Sequence, residues 1–277
     1  MTVTENAGAP PKSMTIAGSD SGGGAGIQAD LKTFAALGVY GTSAITAVTA
    51  QNTRGVFAVA EVPEEVVALQ IGVVLEDIGV DSAKTGMLSS SSIVETVASR
   101  LEAWGVDRLV VDPVMVAKGG HPLLQEEAVS AVKQHLLPLA MIVTPNIPEA
   151  EILAGVAITS LTGAREAARI IAALGPRIVI IKGGHMAGDA TDIAFDGASF
   201  TEFRAERIDT PNTHGTGCTF SAAIAAFLAH GLAPLEAIGA AKVWLTGAIR
   251  ESYTIGGGHS PVNHFHALDV ERWRDKV

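Results

Sequence analysis

The sequence predicts a doubly wound α/β fold, with helices packed on both faces of a mostly parallel sheet. Two observations carry this. Short β-branched runs alternate with helical patterns along almost the whole chain, the order that builds parallel layers. The runs Leu109-Val110-Val111 and Ile178-Val179-Ile180-Ile181 are apolar without alternation, so both of their faces must be covered. The 277 residues show no linker-like shift in composition and no internal repeat, which argues for one domain over 14–277. Residues 1–13 lack a cationic start and an apolar core, so they are no secretion signal and read as a disordered leader.

The elements follow in order. A strand over 14–17 leads into a helix over 26–37, whose buried stripe is Ile27, Leu31 and Phe34 and whose stop is Gly38. Strands over 43–50, 79–84, 108–112, 140–144 and 177–182 alternate with helices over 64–77, 90–103, 123–135, 147–154 and 162–174. A hairpin over 191–195 and 198–203 turns at Asp196-Gly197. Two helices close the fold, over 216–230 and 234–251. Phe220, Ile224, Phe227 and Leu228 give the first of them an apolar face, and Gly231 ends it.

Composition excludes several functions. Net charge is −10 and there is no Lys/Arg-rich run, so nucleic acid and anionic membrane are not expected partners. The single cysteine cannot form an internal disulfide, which suits the cytoplasm. The most apolar stretch, Phe220 to Leu245, is interrupted by His230, Gly231, Pro234 and Glu236, so it is no membrane span.

In open parallel sheets, ligands bind beyond the carboxyl ends of the strands. Polar clusters stand at six such ends: Gly18-Ser19-Asp20-Ser21-Gly22-Gly23-Gly24-Ala25-Gly26, Gln51-Asn52, Lys84-Thr85-Gly86-Met87, Asp112-Pro113-Val114-Met115, Thr144-Pro145-Asn146 with Glu149, and Lys182-Gly183-Gly184-His185. The first is glycine-rich, but it is not a dinucleotide fingerprint. Its spacing is wrong, and Gln51 stands where a ribose would need an acid. No Gly-Lys-Ser/Thr occurs, so there is no Walker loop. The eight histidines show no metal-ligand spacing, and His259, His264 and His266, after Gly256-Gly257-Gly258, read as a surface loop.

The most informative segment is Asn212-Thr213-His214-Gly215-Thr216-Gly217-Cys218-Thr219. Gly215, Thr216 and Gly217 open a helix, where backbone N–H groups and the helix dipole can hold a phosphate or a phosphoryl group in transfer. A small-molecule kinase also needs cations on the phosphates, an acceptor pocket and a base. Lys182 is the candidate cation. Asp112 and Glu149 are candidates for organising Mg²⁺ through water. Asn146 and Glu149 also have the spacing of a capping box, a purely structural role of equal weight. Gln51 can read the edge of a heterocycle.

These segments together resemble the hydroxymethylpyrimidine/phosphomethylpyrimidine kinases of thiamin biosynthesis, a branch of the ribokinase superfamily, from about residue 14 to 266. The resemblance implies a ribokinase-like three-layer fold, usually homodimeric, and two ATP-dependent phosphorylations: of the hydroxymethyl oxygen, then of the monophosphate. It implies that Gln51, Met87, Val114, Ala17 and Asp20 bind the pyrimidine. It further implies that Gly215 to Cys218 form the anion hole, that Lys182 meets ATP, and that Asp112 and Glu149 serve the metal. Where most sugar kinases of the superfamily place an aspartate base, this chain has Cys218. A thiol at a helix N-terminus is expected to have a lowered pKa and to act as the base, with Asp20 or Asp30 next in line. Lys118-Gly119-Gly120-His121 departs from the family pattern. A pyridoxine/pyridoxal kinase is the nearest alternative. A non-catalytic pyrimidine sensor and an NAD-linked oxidoreductase are more distant ones.

Overall fold

The computed structural model describes residues 8–115, 126–183 and 189–268. Lys118 to His121, and Gly184 and His185 of the lysine-glycine cluster, lie outside them. One sheet of nine strands organises the chain, in the order β3-β2-β1-β4-β5-β6-β7-β8-β9. The strands are β1 (Lys12–Ser19), β2 (Tyr40–Asn52), β3 (Gly55–Glu61), β4 (Ser82–Thr85), β5 (Leu109–Val111), β6 (Ile142–Val143), β7 (Ile178–Ile181), β8 (Ala190–Phe195) and β9 (Phe200–Ala205). Neighbouring strands from β2 through β7 pair in parallel, and β3, β8 and β9 add antiparallel pairs at the two edges.

The helices are α1 (Gly26–Ala36), α2 (Glu64–Asp77), α3 (Ser91–Ala103), α4 (Glu126–Ala131), α5 (Ile147–Ala154), α6 (Leu161–Ala172), α7 (Thr216–Ala229) and α8 (Pro234–Arg250). After α4 the chain continues through a π turn, Val132–Leu136, and a 3₁₀ turn, Leu137–Leu139. Alternate residues of the sheet feed two separate cores. Val111, Val143, Val179 and Ile181 pack with Val97, Leu101 and Ile171 on one face. Val110, Ile142, Ile178 and Ile180 pack with Phe34, Phe220, Ile224 and Ile238 on the other. Strands buried on both faces cannot alternate in polarity, which is why their apolar runs were informative.

Two boundaries differ from expectation. The predicted leader of 1–13 is too long, because Lys12 and Ser13 belong to β1, where the Ser13 hydroxyl lies 2.9 Å from that of Ser82. Strand β3 was not anticipated, and β2 runs on to Asn52 to meet it. The sheet order reverses between β1 and β4. That switch point is where a parallel sheet opens a crevice at its strand ends.

Candidate active site

The crevice floor comes from the ends of β1 and β4. Ala17 is buried there, and a Cβ on Gly86 would meet the Ala17 side chain at 2.9 Å and Lys84 Nζ at 2.8 Å. Met87 reaches over Gly18 into the space a Cβ on Gly18 would fill, and its carbonyl accepts the Gly18 N–H at 3.2 Å. Met87 and Val114 are both partly exposed, as apolar walls must be. Gln51 stands near the end of β2. Its backbone N–H donates to Ser21 Oγ at 2.8 Å, and its Oε1 accepts from Thr49 Oγ1 at 3.3 Å.

On the other side of the crevice is the first turn of α7. Its N-cap, Gly215, has φ +76°, and a Cβ there would run into the carbonyl of Gly24. Glycine is therefore required at this turn on two grounds, backbone conformation and space. Gly215 has no side chain to cap the helix, so the first-turn amides of Thr216, Gly217 and Cys218 are left open to an anion. Beside them, a Cβ on Gly217 would lie 3.3 Å from Lys182 Nζ and 3.7 Å from Asp112 Oδ2.

Lys182 and Asp112 form a nearly buried ion pair at 3.0 Å. Asp112 also accepts from Thr144 Oγ1 at 3.2 Å and Ser221 Oγ at 3.3 Å. Burial opposes the Asp112 charge, but Lys182 and Lys84 outweigh it and hold the carboxyl below its ordinary range. Burial likewise opposes the Lys182 charge, and Asp112 and Glu149 outweigh it in turn. Fixed positive charge next to open helix amides is what a transferring phosphoryl group needs.

Residues 20–263 match the family model for phosphomethylpyrimidine kinase. The chain belongs to the phosphomethylpyrimidine kinase family. It is 55% identical over 262 residues to the thiamine biosynthesis bifunctional protein ThiED of Geobacter sulfurreducens, covering 94% of this chain and 54% of that protein. The chain thus spans about half the length of that relative. It is 52% identical over 260 residues to the hydroxymethylpyrimidine/phosphomethylpyrimidine kinase of Streptomyces coelicolor, covering 94% and 96% of the two chains. Among solved structures, the ADP complex of Bacillus subtilis pyridoxal kinase superposes with a TM-score of 0.89 at 41% identity, over 94% of this chain and 100% of that one.

Within the predicted site of a phosphomethylpyrimidine kinase, three residues have structural surroundings that their positions in the sequence did not show. Asp20 is engaged by its own loop. Its carboxylate accepts the N–H groups of Gly22, Gly24 and Ala25 at 2.8, 3.0 and 2.8 Å, and His214 Nε2 lies 3.3 Å away. Those bonds, led by His214, overcome burial and lower its pKa. Asp20 organises the glycine loop, which is therefore braced rather than loose.

Cys218 is the second. The expected low thiol pKa is reversed: burial pushes it up to about 11, against the pull of Lys84 and of the Gly26 N–H. The helix dipole favours the thiolate, but the cost of desolvating it in this buried position is larger. Asp30, the reserve base, is fully buried against Lys84 at 2.8 Å.

Glu149 is the third. The capping box is present: Asn146 N donates to Glu149 Oε2 at 2.8 Å, and Glu149 N donates to Asn146 Oδ1 at 2.9 Å. The carboxylate is thus a helix cap first. Burial raises it to about 7, Lys182 opposes the rise, and Asp112 adds to it.

The histidines near the C-terminus are not a surface loop throughout. His264 is buried with Nε2 3.0 Å from Thr219 Oγ1, and His266 packs on Trp244, while His259 is exposed. Burial lowers the His264 pKa to about 4, with Lys32 and His266 adding to the effect.

Proposed function

We propose that this kinase transfers the γ-phosphoryl group of ATP to the hydroxymethyl oxygen of 4-amino-5-hydroxymethyl-2-methylpyrimidine, and then to the resulting monophosphate. The observation that carries the reading is the uncapped first turn of α7 beside Lys182 and Asp112. The names of the relatives support the acceptor. The pyridoxal kinase likeness makes pyridoxal the acceptor to test second. Incubation with ATP, Mg²⁺ and the hydroxymethylpyrimidine should yield mono- and diphosphate by mass spectrometry. In the same assay Lys182→Ala should slow both steps by about 10²–10³-fold, since each moves the same phosphoryl group. A variant with weakened folding but unchanged kcat would make Lys182 structural.

Gln51 reads the acceptor ring in this proposal, with Ala17 as floor and Met87 and Val114 as walls. Gln51→Ala should raise KM for the pyrimidine by the equivalent of ~1–3 kcal/mol and leave KM for ATP alone. Equal effects on both substrates would return Gln51 to a backbone-supporting role.

Mg²⁺ suits the donor set. Among the described residues no group of three or more His, Cys, Asp or Glu could cage a metal, but Mg²⁺ keeps most of its waters. Two oxygen donors beside Lys182, Asp112 and Glu149, would hold it through them. The bound ion would neutralise phosphate charge.

A second copy of the chain is the proposed partner, because the sheet edge is apolar where it should be wet. Val48, Val56, Phe57 and Val59 are each about half exposed or more, Phe57 at 70%. Sedimentation at the mass of one chain would remove that partner. No helix among the described residues is long and apolar enough to cross a membrane. ATP dependence and the lone free thiol support a cytoplasmic setting for the proposed reaction.

A further inference from the structure

The glycine triplet Gly256-Gly257-Gly258 opens a strap, residues 256–264, that is tied down at both ends. One end grips the turn between β2 and β3. His259 N donates to Thr53 O at 2.7 Å, and Gly258 N donates to Thr53 Oγ1 at 3.2 Å. A Cβ on Gly258 would collide with the Thr53 carbonyl and would lie 2.9 Å from Arg54 N. The other end grips α7 and its lead-in. His214 N donates to Ser260 O at 3.1 Å, His214 and Pro261 form a parallel bridge, and His264 meets Thr219.

The two grips are adjacent in the chain, and the second lines a cavity with Pro261, Val262 and His264, against Asp20, Lys32 and His214. Ser260, Val262 and His264 are buried along it, so packing as well as these contacts holds the strap. Those ends are well placed. Thr53 is two residues from Gln51, while His214 and Thr219 flank Gly215 to Cys218. A third contact, Asn263 N to Ala248 O at 2.9 Å, anchors the strap to α8.

We infer that Gly258 and Thr53 are positioning residues for the acceptor, because the strap fixes the ring-reading end of β2 against the anion-hole turn of α7. The inference rests on the assignment of Gln51 to the acceptor ring. Misplacing a positioning group by about 1 Å can cost up to ~10²-fold in rate. Gly258 has no positive φ, so alanine is compatible with its backbone and acts only through the collision. Gly257 is the natural control. Its Cβ would meet only the end of the Arg54 side chain, which can move.

The test measures KM for the pyrimidine and for ATP, and kcat, in Gly258→Ala, Gly257→Ala and Gln51→Ala. Gly258→Ala is expected to raise KM for the pyrimidine by about tenfold or more, to lower kcat, and to leave KM for ATP within about twofold. Gly257→Ala should match the parent. If Gly258→Ala does not fold, Thr53→Val, which removes the hydroxyl acceptor, should shift KM for the pyrimidine in the same direction, and Thr53→Ser should restore it. A normal pyrimidine KM in Gly258→Ala, with a raised one in Gln51→Ala, overturns the strap alone. Equal rises for both substrates also overturn it, since they mark a general loss of structure. A normal pyrimidine KM in Gln51→Ala overturns the ring assignment and this route with it.

Discussion

Cys218→Ala should slow phosphorylation of the hydroxymethyl alcohol by about 10²–10⁴-fold and slow phosphorylation of the monophosphate far less. The range is that of general-base loss. The asymmetry comes from the acceptors: an alcohol must lose a proton as it attacks, whereas a phosphate monoester is already ionised near neutrality. The Gly215, Thr216 and Gly217 backbone remains in the variant, so ATP binding should persist.

The raised thiol adds a pH signature. With its pKa pushed up to about 11 by burial, Cys218 is a thiol in the unliganded protein at neutrality, and roughly one part in 10⁴ is thiolate at pH 7. Lys84 from β4 favours the thiolate, while Asp30 from α1 and Asp112 after β5 oppose it. A thiolate base then makes the alcohol step rise about tenfold per pH unit above neutrality, a slope that Cys218→Ala removes and the monophosphate step lacks. Alkylation of Cys218 should be slow at pH 7 and climb with the same slope. Fast alkylation at pH 7 would contradict the raised pKa. Equal loss in both steps, or in neither, would make Cys218 a packing residue.

The sequence showed the parallel body of the fold because its strands are buried on both faces, and a run such as Ile178 to Ile181 has no other home. It did not show β3, although Val56-Phe57-Ala58-Val59 between Gly55 and Pro63 has strand composition. The link to β2 is Thr53-Arg54, which lacks the glycine or asparagine that marks a tight hairpin. The strap was missed for a related reason. Three glycines look like slack in a sequence, and only the approach of Thr53 shows that they are there for closeness. At the site, residue types were legible and their states were not. Asp112, Lys182 and the α7 turn lie together as their strand-end positions implied. What Asp20, Glu149 and Cys218 do depends on which neighbours reach them and how much water is lost, and neither is local in sequence.

Lys84→Met should cost about 3–5 kcal/mol of stability, the largest loss expected from one substitution away from the reacting groups. Lys84 and Asp30 are both fully buried, and Nζ donates to Asp30 Oδ2 at 2.8 Å. Thr15 Oγ1 donates to the same oxygen at 2.6 Å, while Oδ1 has no hydrogen-bond partner among the described residues. Without Lys84, the carboxylate keeps only the threonine. Burial already raises the Asp30 pKa, with Lys84 as the main force against it. Removing that cation raises it further, so the folded variant takes up a proton that the unfolded chain releases near pH 4. A folded-state pKa above the unfolded one means stability is lost as pH rises through that window. The deficit of Lys84→Met should accordingly be smaller at pH 5 than at pH 8, as read from urea midpoints at the two values. Adding Asp30→Asn should recover more than half of the loss at pH 8, because no charge is then buried alone and Thr15 keeps an acceptor. A single variant within about 1 kcal/mol of the parent at pH 8, or a double variant no better than the single, would show that the pair is not what holds α1 against β4 beneath the crevice.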